Sequence, residues 1–208
     1  MPIPVCLFLF LSAYPAGLAL QNLITALYRR YPTLLRTEPA PCSLRRAVCL
    51  GLPALLLGLL AAPAPFSYPL WLLTWLLYLV LLLITVTDIE QHLIFDYSLA
   101  AGAALAFPYL LLTGADLVSR LYWGLGAGAV LFLFSMLTRG SIGGGDIKLL
   151  AFLGWWLGTG VLFVFCAGTV FGAIAAAYFI LTRKKDRSAP MAYGPYFTIS
   201  VLILHVLT

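Results

Sequence analysis

The sequence SIGGGDIK, residues Ser141–Lys148, lies between two long apolar runs. Its three glycines, Gly143–Gly145, carry no side chain and give the backbone freedom that other residues lack. Asp146 follows them at the edge of an apolar segment, where an ionisable group is expensive and marks a functional site by default. Taken alone, the stretch is a polar turn between two membrane spans. Its meaning depends on whether a second acidic group can reach Asp146.

The overall composition indicates a polytopic membrane protein. Of the 208 residues, 63% are hydrophobic and only 9% are charged, whereas soluble domains carry about 25% charged residues. Spans in a bilayer must satisfy their backbone polar groups internally, so we predict an all-α fold. The net charge of +5 is carried mostly by short loops between apolar runs. That distribution favours attraction to an anionic lipid surface over binding of nucleic acid.

Eight spans are predicted, because one span needs about 20 mostly apolar residues. They form one membrane-embedded domain over residues 1–208, and the first apolar run is kept as a span because basic residues follow it instead of preceding it. The predicted spans cover about Pro4–Leu27, Ala47–Ala62, Tyr68–Thr87, Tyr97–Thr113, Leu121–Leu137, Ile147–Leu157, Val161–Thr182 and Ala192–Leu207.

The basic residues predict the orientation of these spans. If the basic loop at residues 28–46 is cytoplasmic, every Lys and Arg except Arg120 falls on the cytoplasmic side, as the positive-inside rule requires. The N-terminus is then periplasmic. A second acidic cluster, Asp88-Ile89-Glu90 with Asp96, comes to the same cytoplasmic side as Asp146 and to a similar depth.

Two carboxyl groups at one depth predict aspartic acid–base chemistry. If they approach within a few Å, they cannot both ionise cheaply, so one keeps a proton. The charged member can activate water and the neutral member can protonate a carbonyl oxygen. Asp88 is the preferred partner of Asp146, because it directly follows its apolar run. Asp96 is placed to cap the fourth span, and Glu90 is expected to face water.

Other chemistries are less well supported by the residues. The two histidines, His92 and His205, are far apart in the sequence, whereas a zinc site needs three or four close ligands. We therefore predict no metal site. Lys148 is expected to neutralise charge near the site or to extend to the interface. A proton-coupled transporter using the same carboxylates is the alternative function, and a non-catalytic assembly factor is a third. Against a transporter, the acids lie at span ends and no inverted repeat is visible.

The motifs together resemble a known family. GGGDIK is similar to the GxGD motif of the type IV prepilin peptidases and of the related archaeal preflagellin peptidases. Asp88 followed by Asp96 resembles their other aspartate signature, although Phe95 stands where bacterial members usually have proline. Ala192–Tyr196 resembles their (F/Y)GP(Y/F) motif, and Gly17–Pro32 is loosely similar to their N-terminal motif. The resemblance covers nearly the whole chain.

The resemblance implies an intramembrane aspartic endopeptidase in the bacterial inner membrane. Its substrates would be prepilins, or the pseudopilins of type II secretion, and it would cut after a glycine at the cytoplasmic face. Asp88 and Asp146 would be the catalytic pair. The supporting motif residues would be Gly143, Gly144, Gly145, Lys148, Asp96, Gly194 and Pro195.

The loop at residues 28–46 departs from the family pattern. Many bacterial members have a longer loop there, with two Cys-x-x-Cys pairs that bind zinc, and they also N-methylate the product with S-adenosylmethionine. Here only Cys42 and Cys49 stand in or beside a loop of about twenty residues. We therefore predict peptidase activity with neither zinc nor S-adenosylmethionine as a cofactor.

Overall fold

The chain is α-helical throughout the part that the structure describes. A computed structural model describes residues 3–35, 48–53, 56, 67–137, 142–182 and 192–207, and these ranges contain no β-strand. The prediction of an all-α fold is therefore confirmed for them. Cys42 and most of the basic loop at residues 28–46 lie outside the described residues, as does much of the second predicted span.

Each predicted span coincides with a helix or with helical residues. We number them in chain order, and a short 3-10 turn at Pro32–Leu34 follows the first. The helices are α1 (Ile3–Arg30), α2 (residues 48–53, with residue 56 also helical), α3 (Tyr68–Gln91), α4 (Asp96–Leu112), α5 (Leu117–Leu137), α6 (Gly144–Leu157), α7 (Gly160–Leu181) and α8 (Gly194–Leu207).

Three of the described helices are long and apolar enough to cross a membrane. They are α3 over Pro69–Gln91, α5 over Leu117–Leu137 and α7 over Gly160–Leu181. Helices α4 and α8 are apolar but shorter. Helix α6 has 14 residues, which at 1.5 Å each is about 21 Å and less than the roughly 30 Å of a hydrocarbon core. The predicted spans therefore correspond to helices, but only three of the described helices are long enough to support the prediction of a full membrane span.

Helix α6 is the central element of the bundle. Leu149, Leu150 and Leu153 are almost completely buried, and α6 packs against α4, α5 and α7. Its contact with α5 is particularly close. A Cβ atom on Gly154 would lie 2.5 Å from the carbonyl oxygen of Trp123, so only glycine fits there. Small residues let helix backbones approach in this way in membrane proteins.

Successive helices alternate in direction, which brings the ends of α1 and α3 and the starts of α4 and α6 to one end of the bundle. At this end the tails of α1 and α3 meet through Tyr28 and Glu90, and the starts of α4 and α6 meet through Asp96 and Lys148. At the other end Arg120 donates to the carbonyl oxygen of Trp156 at 3.0 Å. Both acidic clusters therefore lie at the same end of the molecule.

Candidate active site

Asp88 connects the end of α3 to the start of α8. It lies in the last turn of α3 and is only 5% exposed. Its Oδ2 atom accepts a hydrogen bond of 2.8 Å from the backbone N–H of Gly194, the first residue of α8. The first N–H groups of a helix have no partner within it, and a carboxylate there is favoured by the helix dipole. Asp88 thus caps a helix that follows it by more than a hundred residues.

The residues at the start of α8 permit this contact. A Cβ atom on Gly194 would lie 2.8 Å from Oδ2 of Asp88 and 3.3 Å from its Cβ. Any larger residue would therefore have to displace the carboxyl group. Pro195 follows in the first turn, where a missing N–H breaks no helical hydrogen bond. The Gly-Pro pair allows the carboxylate and the helix end to come together.

Asp146 occupies the first turn of α6. It is 8% exposed, its backbone N–H donates to the carbonyl oxygen of Gly143, and its Oδ1 atom has no hydrogen-bond partner among the described residues. The preceding glycines make room for it. A Cβ on Gly143 would lie 3.3 Å from Oδ2 of Asp146, and one on Gly145 would lie 3.1 Å from Ile94 in the α3–α4 connection. Gly144, by contrast, has open space around it.

Both carboxyl groups are buried beside the start of α8, Asp88 against Gly194 and Asp146 in a cavity that the preceding residue, Tyr193, also lines. Two such groups cannot both ionise without strong mutual repulsion. Their surroundings also differ, because Asp88 accepts a hydrogen bond from a backbone N–H, whereas Oδ1 of Asp146 has no donor in the described part of the chain. The pair is therefore asymmetric, as a general base and a general acid need to be.

A cavity of about 260 Å³ gives access to Asp146. Its walls are apolar or aromatic apart from Asp146 and the hydroxyl groups of Thr169 and Tyr193. Tyr193 directly precedes Gly194, so the cavity lies beside the start of α8 as well as the start of α6. The lining residues are Leu131, Phe134, Ile142, Asp146, Phe165, Thr169, Tyr193 and Phe197.

Asp96 and Lys148 form an ion pair at the rim of the site. Their Oδ1 and Nζ atoms are 2.7 Å apart, and the side chains are 71% and 58% exposed, respectively. Phe95 is the N-cap residue of α4 and no side chain caps that helix, so the prediction that Asp96 caps it is wrong. Lys148 competes for the same carboxylate and binds it. The predicted neutralising role of Lys148 is thus exerted on Asp96.

Two side-chain contacts near the site, one of Glu90 and one between two threonines, were not predicted from the sequence. Glu90 was expected to face water, but it is half-buried and accepts a hydrogen bond of 2.8 Å from the hydroxyl of Tyr28. Thr85 and Thr198 join α3 to α8 through a buried hydroxyl–hydroxyl bond of 2.8 Å. Thr85 precedes Asp88 by three residues and Thr198 follows Gly194 by four, so each lies on the same helix face as its neighbour. This spacing is the one sequence signal that could have indicated a second contact between α3 and α8.

The described residues offer no candidate metal centre. They contain no group of three or more His, Cys, Asp and Glu side chains that could hold an ion. His92 ends α3 with a φ of 51°, and His205 contacts Tyr78 at the opposite end. Cys49 is buried, and its carbonyl oxygen lies 2.4 Å from the Cβ position of Gly17. This part of the chain therefore offers no group of side chains that could serve together as zinc ligands.

Residues 75–177 match the sequence profile of the type IV leader peptidase family. The chain is similar to the prepilin leader peptidase/N-methyltransferase of Aeromonas hydrophila, with 33% identity over 77% of this chain and 58% of the relative. It is also 32% identical to the protein of the same name from Bacillus subtilis, over 61% of this chain and 52% of the relative.

A third relative of that name, from Xanthomonas campestris, is 37% identical over 34% of this chain and 25% of the relative. The chain thus spans between a quarter and about three fifths of these relatives. No solved structure matches it.

Proposed function

The chain belongs to the type IV leader peptidase family, and from that premise we propose that it is an aspartic endopeptidase that removes leader peptides from prepilins or pseudopilins. The substrate class follows from the names of its relatives. The family match does not favour the alternative of a proton-coupled transporter. The observation that supports the reaction best is the asymmetric pair of buried carboxyl groups, Asp88 and Asp146, at one end of the bundle.

In the proposed reaction the two carboxyl groups share one proton. The N–H of Gly194 stabilises the anionic form of Asp88, so Asp88 acts as the general base and takes a proton from water. The hydroxide oxygen bonds to the carbonyl carbon of the scissile peptide while Asp146 protonates the carbonyl oxygen. The C–N bond then breaks as Asp88 gives the proton that it took from water to the leaving nitrogen, and Asp146 takes a proton back from a hydroxyl of the tetrahedral intermediate. No nucleophilic side chain is needed.

The proposed location of this reaction is the cytoplasmic face of the bacterial inner membrane. The support is the distribution of Lys and Arg, which under the positive-inside rule favours a cytoplasmic position for residues 28–46 and for both acidic clusters. The relatives' names also include N-methyltransferase. The described residues offer no donor set for zinc, and the proposal assigns no role to zinc or to S-adenosylmethionine.

Replacing either carboxyl group tests the proposal. Asp88→Asn and Asp146→Asn keep the side-chain volume but remove the acid–base group, so we expect leader removal from a co-expressed prepilin to fall by about 100-fold or more. Asp116→Asn is the matched control, because Asp116 is exposed and caps only the N–H of Val118. Leader removal that continues unchanged in both site variants would refute the proposal.

A further inference from the structure

An apolar groove runs between α5 and α7. Its volume is about 430 Å³, and no charged residue lines it. One wall is formed by α5, the other by α7, and Leu150 of α6 contributes to the floor. The lining residues are Tyr122, Trp123, Gly126, Ala127, Val130, Leu150, Val161, Leu162 and Phe165.

The groove exists because α5 and α7 both pack on α6 and touch each other little. Gly124 and Gly128 bury one face of α5 against α6, where added Cβ atoms would lie 3.0 Å from Ala151. Gly126 lies between them in sequence and therefore on the other side of the helix. A Cβ atom on Gly126 would meet nothing within 4 Å. Its missing side chain is thus open space in the groove.

The groove adjoins the cavity of the candidate active site. Phe165 lines both the groove and the cavity that contains Asp146. Leu150 follows Asp146 by four residues, so both lie on one face of α6. A chain segment that lies along the groove therefore has one end directed at the Asp146 carboxyl group.

We propose that this groove binds an apolar transmembrane helix of the substrate and presents the scissile bond at its Asp146 end. Both walls are helices long and apolar enough to cross a membrane, and most of their surface faces outward, so the groove opens sideways to the bilayer. Its uncharged lining suits an apolar helix, and Gly126 lets that helix approach closely. The position of the groove beside the Asp146 cavity favours a peptide substrate as its occupant over a lipid chain. The inference rests on the proposed peptidase function.

Filling the groove tests the proposal through kinetics. Gly126→Leu should raise the KM for a full-length prepilin at least about tenfold, equivalent to about 1.4 kcal/mol of binding, with kcat within about twofold of the wild type. Gly51→Leu is the matched control, because Gly51 is also an exposed helical glycine with nothing within 4 Å of its Cβ position. Cleavage of a short peptide that contains only the leader and the cut site should be the same in all three proteins.

A photocrosslinking residue at position 126 tests occupancy without relying on cleavage, and the same residue at position 51 is its control. Capture of the prepilin at 126 but not at 51 supports the groove, even if the wild type leaves the prepilin uncut and the peptidase proposal fails. The groove proposal is overturned if cleavage is normal but position 126 captures no prepilin and Gly126→Leu leaves the KM unchanged. A lipid would then be the occupant of the groove. If the wild type does not cleave the prepilin and position 126 does not capture it, both proposals are overturned.

Discussion

At the scale of single residues, the role proposed for Asp88 makes two demands that conflict. A buried carboxylate requires hydrogen-bond donors, and a general base also requires room for water. The first N–H of α8 supplies the donor to Oδ2 without a bulky side chain beside it, because position 194 is glycine. The surroundings of Asp146 differ, since its Oδ1 atom has no hydrogen-bond donor among the residues that the structure describes.

Gly194→Ala should therefore impair catalysis more than folding. The new Cβ would lie 2.8 Å from Oδ2 of Asp88 and push the carboxylate off the N–H. A hydrogen bond to a charged group contributes about 1.5–3 kcal/mol, so we expect the rate of leader cleavage to fall about 10- to 100-fold. Cleavage assays beside thermal unfolding would measure both effects. Full activity in this variant would show that the N–H contact is dispensable.

The Asp96–Lys148 pair should contribute little to stability. Both side chains are largely exposed, and exposed ion pairs contribute about 0–1 kcal/mol. We expect Lys148→Gln and Asp96→Asn each to change the free energy of unfolding by less than about 1 kcal/mol. Any difference should shrink at high ionic strength, because salt screens exposed charges. A larger loss that persists in high salt would contradict this assignment and indicate a role for the pair in holding α6.

At the scale of elements, the contact between α5 and α6 is fixed by backbone proximity. Gly154→Ala would place a methyl group 2.5 Å from the carbonyl oxygen of Trp123, and overpacking of this kind costs about 1–3 kcal/mol. Gly126→Ala, on the same pair of helices, adds its methyl group to open space and should stabilise the protein by about 0.5–1 kcal/mol. Thermal unfolding in matched detergent would compare them. Equal effects of the two substitutions would refute the close-packing argument.

The sequence predicted where helices occur better than how their ends are used. Apolar runs indicated every described helix, because burial in lipid demands continuous hydrophobicity. The termini depend on tertiary contacts. Asp96 was predicted to cap α4 by local rules, but Lys148, 52 residues away, takes its carboxylate. Similarly, the sequence suggested that Asp88 and Asp146 share one end of the molecule, but gave no signal that Gly194 would donate to Asp88.

At the scale of the whole molecule, the two ends of the bundle have different chemistry. One end carries Asp88, Asp146, Glu90 and the Asp96–Lys148 pair. The other carries Arg120, bound to the carbonyl oxygen of Trp156 at the C-terminal end of α6. Alternating helix directions produce this separation, so the charge bias along the sequence could predict it.

This asymmetry predicts the orientation in the membrane. A phosphatase reporter fused after Asp116 should be active, because that connection is expected to lie in the periplasm, whereas one fused after Arg139 should be inactive. Expression of both fusions, measured by immunoblot, controls for unequal amounts. The reverse pattern of activities would place the carboxyl pair on the periplasmic side and contradict the proposed location of cleavage.

The bond between Asp88 and Gly194 also has a consequence for biosynthesis. The two residues are 106 positions apart, and the ribosome delivers Asp88, then Asp146, and α8 only afterwards. Until α8 enters the membrane, Asp88 lacks the donor that holds it. If the reaction is as proposed, a partly translated chain is therefore inactive, and proteolysis begins only when α8 is inserted. On that reaction, a newly made copy gains its activity only once α8 has reached Asp88.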